Sequence, residues 1–87
     1  MYKFFISEKL EKIFKKLIKK DKTRYETILK KIDEIINSNP NHYKNLRKNM
    51  KDFKRVHIDS HFVLIFKIKQ DKIYFEDLQH HDYIYKS

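Results

Sequence analysis

The 87-residue chain contains no cysteine, no glycine and one proline, Pro40. Without cysteine there can be no disulfide, no thiolate nucleophile and no cysteine-held zinc, and a reducing compartment is the simplest home. Without glycine there is no flexible Gly/Ser linker, and tight turns must rest on Asn, Asp and Ser, whose side chains hydrogen-bond their own backbone. No apolar stretch approaches the roughly 20 residues of a membrane span, and Met1–Ser7 is too short and too poor in small residues for a secretory signal. Acidic residues are the scarce charge: 12 Asp and Glu stand against 21 Lys and Arg, a formal net charge of +9. These absences predict a soluble cytoplasmic protein, away from membranes, whose natural partner is a polyanion, nucleic acid first.

What is present suffices for one core. Hydrophobic residues make up 40% of the chain and aromatics 15%, which at this length supports a single domain, 1–87, with any site on its surface. Tyr2–Ile6 is a short aromatic and β-branched run ending at Ser7, a good helix N-cap followed by Glu8, and it reads as a buried strand entering a helix. Leu10, Ile13, Phe14, Leu17 and Ile18 then recur with the spacing of one helical face. Asp21 or Thr23 starts a second helix carrying Tyr25, Ile28, Leu29, Ile32, Ile35 and Ile36, which Asn37-Ser38-Asn39-Pro40 stops.

After Pro40 the period changes. Phe53–Ile58, Phe62–Ile68 and Lys72–Leu78 are strand-like runs separated by Asp59-Ser60-His61 and Gln70-Asp71, as in an antiparallel meander. Phe62–Phe66 is apolar on both faces and should be central, with a helix hairpin on one side. The predicted order is β-α-α-β-β-β, an α+β fold with the N-terminal strand and hairpin packed on one face of a mainly antiparallel curved sheet. Alternation puts Val56 and Ile58 on one face and Phe53, Arg55 and His57 on the other. Lys44, Arg47, Lys48, Lys51 and Lys54 form a basic run suited to gripping a phosphate backbone, or a solvated charged face.

Element order, length, charge and the run Leu46-Arg47 … Phe53-Lys54-Arg55-Val56-His57-Ile58 … Phe62-Val63-Leu64-Ile65-Phe66-Lys67-Ile68 together resemble the RelE/ParE toxins of type II toxin–antitoxin systems along nearly the whole chain. The histidines look closer to the YafQ branch than to RelE itself. His57 falls where that branch has a strand histidine and His81 where it has its C-terminal histidine. His61 falls where the branch has an aspartate, and Lys44 near an earlier histidine. The resemblance implies a ribosome-dependent messenger-RNA endonuclease (mRNA interferase), silenced by an antitoxin whose flexible acidic and apolar tail wraps the fold. A ParE-like poison of DNA gyrase shares the fold without needing clustered histidines, and an inactive RNA-binding relative is a third possibility.

RNA brings its own nucleophile. Cleavage needs a base for the 2′-OH proton, donors for the crowded phosphate and an acid for the departing 5′ oxygen, and no cofactor or metal is required. His57 and His81 are candidate base and acid in either order, Arg55 a phosphate clamp, and His61 an orienting or auxiliary group. Tyr83 and Tyr85 can stack on a splayed base or dock the C-terminal turn on the core. A zinc set of His57, His61, His80 and Asp82 is disfavoured, because the turn at 59–61 breaks the geometry and adjacent His80 and His81 cannot point the same way in a strand.

Overall fold

The computed structural model describes residues 2–40, 43 and 52–81. Among the described residues six elements follow in the predicted order: β1 Lys3–Ile6, α1 Glu8–Lys20, α2 Lys22–Ile36, β2 Lys54–His57, β3 Phe62–Lys69 and β4 Lys72–His80. The four strands form one sheet in the order β1-β4-β3-β2. β1 runs parallel to β4, and the β2–β3 and β3–β4 pairs are antiparallel.

Local chemistry explains the boundaries. Ser7 caps α1 by accepting the Leu10 N–H at 3.0 Å, satisfying a donor that the first helical turn leaves unpaired. Asp21 serves both helices. Its N–H donates to the Leu17 carbonyl at 2.8 Å, closing α1, and its carboxylate accepts the Arg24 N–H at 3.0 Å, opening α2. Gln70 and Asp71 make the two-residue β3–β4 turn with φ of 52° and 62°, the positive values that such hairpins demand and that glycine ordinarily supplies.

The hairpin of α1 and α2 lies on one face of the sheet. Leu10, Phe14, Ile28, Ile32, Ile35 and Ile36 meet Val56, Ile58, Leu64, Phe66, Ile73, Phe75 and Leu78 in the main core. Val63 and Ile65 are buried on the far face, with Phe53 packed against them. That small cluster explains why β3 is apolar on both sides.

Two expectations are corrected. The N-terminal run is a strand but not a buried one: β1 is the sheet edge, and Phe4 and Phe5 stay 41% and 48% exposed. Paired with β4 alone, the strand has neighbours on one side only. Ile18 and Leu29 match the helical period, yet they are 45% and 39% exposed, because each stands at the margin of an apolar stripe wider than the sheet it covers.

Candidate active site

The site is built on the far face of the sheet, and its composition depends on one irregularity. In β4, Ile73 and Phe75 point into the main core, so strict alternation would send Asp77, Gln79 and residue 81 the same way. Ile65 instead pairs with Asp77 and Phe66 with Phe75, leaving Glu76 as the extra residue of a β-bulge. Beyond it the faces exchange: Leu78 joins the main core, and Asp77 and Gln79 fall on the far side. Ser7 pins the bulge, its N–H donating to the Phe75 carbonyl at 3.0 Å and its hydroxyl to the Glu76 carbonyl at 2.7 Å.

The far face therefore carries two cross-strand rows near the end of β4. One is His57, Val63 and Gln79; the next is Arg55, Ile65 and Asp77. His81, just past β4, is anchored by its N–H donating to the His61 carbonyl at 2.6 Å. Its ring comes to 5.2 Å from that of His57, centre to centre. Partial burial, then the neighbouring His81 and Arg55 charges, hold the His57 imidazole below its ordinary 6.5. Near neutrality His57 is thus an uncharged imidazole able to accept a proton, beside a second imidazole and a guanidinium-bearing strand.

Asp77 was not singled out in the sequence. At 8% exposure it is the buried acid of the described residues. It accepts from the Lys9 ammonium at 3.0 Å, the Gln79 side-chain amide at 2.5 Å and the Leu78 N–H at 2.8 Å. These bonds fix Gln79 in the row of His57 and bring a lysine of α1 over the edge of the sheet. A carboxylate within an otherwise strand-like run is the available signal, but strict alternation from Ile73 and Phe75 would put it on the wrong face.

His61 turns elsewhere. Its ring stacks with His80 at 6.1 Å, and His80 packs edge-on to Phe62 at 5.4 Å, on the helix side. Arg24 lies 4.4 Å over the Phe62 ring and donates to Asp59 at 3.0 Å. Asp59 also accepts the His61 and Phe62 N–H groups at 2.7 and 3.1 Å. Burial pushes the Asp59 carboxyl up, but the His61 N–H, the Arg24 guanidinium and the Phe62 N–H together bring it below its ordinary value. The structure thus brings His57, His81 and Arg55 together and sets the His61 ring with His80. His61 reaches the first group through its carbonyl.

Lys54 stands opposite Phe66 on the helix side, donating to the Tyr43 carbonyl at 3.1 Å. Lys44, Arg47, Lys48, Lys51, Tyr83 and Tyr85 lie outside the described residues. Among the described residues no group of three or more His, Asp or Glu side chains is disposed to hold a metal ion, and none of their helices is long and apolar enough to cross a membrane.

Residues 6–85 match the family model described as the ParE toxin of the type II toxin–antitoxin system, parDE. A Methanocaldococcus jannaschii protein named as a toxin, RelE4, is 51% identical over 88 residues, spanning 99% of this chain and 93% of the relative. The chain belongs to the ParE toxin family.

The RelE/ParE fold is equally clear in solved structures. YafQ from E. coli superposes with a TM-score of 0.67 at 17% identity, covering 98% of this chain and 99% of that one. The YoeB–YefM complex from Staphylococcus aureus matches with a TM-score of 0.77 at 13% identity, over 93% and 98% of the two chains. At such identities the shared property is the fold, an α+β unit of two helices on a four-stranded sheet, as the sequence predicted. Membership makes this RelE/ParE chain a type II toxin.

Proposed function

We propose that this toxin is an endoribonuclease that cuts messenger RNA without a metal, using His57 and His81 as its proton-transfer pair. The observation that carries the reading is the 5.2 Å approach of the two imidazoles on a face that also presents Arg55. In the reaction the 2′-OH attacks the adjacent phosphorus as a base removes its proton. The bond to the 5′ oxygen breaks, that oxygen takes a proton from an acid, and a 2′,3′-cyclic phosphate and a 5′-OH remain.

His57, held neutral at pH 7 by its surroundings, suits the base, which leaves His81 as the acid. Arg55 supplies parallel hydrogen bonds to the phosphate oxygens. His61 orients His81 through the backbone bond between them. Lys44, Arg47, Lys48 and Lys51 grip flanking phosphates, and Tyr83 and Tyr85 contact the base or phosphate beside the cut; Lys54, turned to the helix side, takes no part. The partners are the translating ribosome, its message and a cognate antitoxin with an acidic, partly apolar tail, all in the cytoplasm.

The test incubates the toxin with translating ribosomes and message and maps the products beside His57→Ala and His81→Ala. Cleavage by the wild type, lowered at least a hundred-fold in both variants, is expected from the usual worth of a general acid or base. Intact message with the wild type sinks the reading, and cleavage at a 2′-deoxy site sinks the internal-nucleophile chemistry. The ParE description of the matched family favours one second reading, a non-catalytic poison of gyrase, which inhibition of supercoiling by the His57→Ala variant supports.

A further inference from the structure

The far face continues past the histidines toward the β3–β4 turn, and its character changes there. Lys67 and Tyr74 are cross-strand partners, and Tyr74 pairs onward with Phe5 of β1. The Phe5 and Tyr74 rings stack at 5.2 Å, 16° from parallel, and the Lys67 ammonium lies 5.8 Å over the Tyr74 ring. Phe5 is nearly half exposed, so the stack presents a flat aromatic surface to solvent. One row further, Lys69, Lys72 and Lys3 are consecutive partners across three strands.

Three lysines stand side by side on adjacent strands, whose backbones lie roughly 5 Å apart in the hydrogen-bonding direction, and like charges so placed repel one another. Among the described residues none of the three joins an ion pair. Stability alone does not explain such a row. A chain of phosphates does, since it neutralises the lysines and releases its own counterions. Aromatic rings beside a basic row form the pairing that single-stranded nucleic acid uses, bases on the rings and phosphates on the cations. An acidic peptide matches the lysines but gains less from a flat ring stack.

We propose that Lys3, Lys69 and Lys72, with the Phe5–Tyr74 stack, form a second RNA-binding segment for the single strand that flanks the scissile phosphate. This rests on the reading of the chain as an RNA-cleaving toxin, and it extends that site along the same face. From Val63, beside His57, to Lys69 is six residues of β3, about 20 Å at ~3.3 Å per residue. The segment therefore grips nucleotides several positions away from the cut, and it tunes affinity for the strand rather than the proton transfers.

Binding, not cleavage, is the readout. A fluorescent single-stranded RNA oligonucleotide is titrated into the full chain carrying His57→Ala and His81→Ala, across a salt series. Adding K3Q, K69Q and K72Q should flatten the dependence of log affinity on log salt by about 2, at ~0.7 for each phosphate that the lysines no longer neutralise. Phe5→Ala should weaken binding roughly ten-fold, within the range for one base stack, and leave the salt slope alone. The chain lacks tryptophan, so Phe5→Trp gives a lone indole whose emission RNA should quench.

Parental affinity and slope in the lysine variant, or an unquenched indole at saturating RNA, overturns the proposal. So does loss of poly-glutamate binding with RNA binding intact, which would assign the face to an acidic protein. If the wild type fails to cut message while the lysine row still governs RNA affinity, the segment stands and the nuclease reading falls.

Discussion

The Ser7 hydroxyl donates to the Glu76 carbonyl at 2.7 Å while accepting the Leu10 N–H at 3.0 Å. One side chain thereby caps α1 and ties that helix to the bulge that turns Asp77 and Gln79 toward the face of His57. Because residue 81 follows from the same exchange of faces, Ser7 is a positioning residue for His81 at a distance from it.

Ser7→Ala should therefore do two things. Loss of the cap and of the bulge bond should lower stability by about 1–2 kcal/mol, read by urea unfolding. The imidazole resonances of His57 and His81 should also shift in NMR spectra of the folded variant. Ser7→Thr, which retains a hydroxyl, should restore most of both. Histidine resonances unchanged in Ser7→Ala would separate the cap from the site.

The His57 titration should follow its surroundings. Its folded-state value lies below 6.5 through burial, then His81 and Arg55, so the unfolded chain binds the proton more readily. Linkage then has stability rise with pH between the folded midpoint and about 6.5, and fall as pH drops through that window. The His57 midpoint, read by NMR, should sit below 6.5 and move upward in His81→Ala and in Arg55→Gln. His57→Gln should flatten the stability profile across the same window. A midpoint at or above 6.5 would contradict the geometry.

Asp59 should act in the same direction, at lower pH. Its net depressed value means that its contribution is fully present above the ordinary carboxyl range and is lost as pH falls through the folded value. Asp59→Asn keeps an acceptor for the His61 and Phe62 N–H groups but gives up the charge facing Arg24. A partly exposed ion pair of this kind should cost about 1 kcal/mol or less, and the acid limb of the unfolding curve should become shallower. Asp59→Ala, which also removes the acceptor, should cost more and loosen the turn that holds His61.

Much of this architecture was legible in the residues because it depends on short-range chemistry. Apolar positions three and four apart require a helical face; Ser7 and Asp21 mark helix starts by what their oxygens can accept; Gln70-Asp71 sits between two alternating runs with nothing but a turn to make. The assignment of Arg55 and His57 to one face and Val56 to the other needed only the period of a strand. The basic excess followed from counting.

Contacts between distant segments decided the rest. No local rule puts the aromatic run of β1 at a sheet edge, where Phe5 finds Tyr74 and remains half in solvent. None sets the His61 ring with His80 instead of His57, since that depends on how the 59–61 turn meets the end of β4. The bulge at Glu76 is the clearest case. Alternation along β4 holds until the adjacent strand β3 and a helix cap 69 residues away in sequence admit one extra residue. His81 then reaches His57 because two strands are in register across the sheet. The sequence by itself determined the elements and their order, through periodicity and capping, whereas only the tertiary structure decided which face each side chain beyond Glu76 would serve.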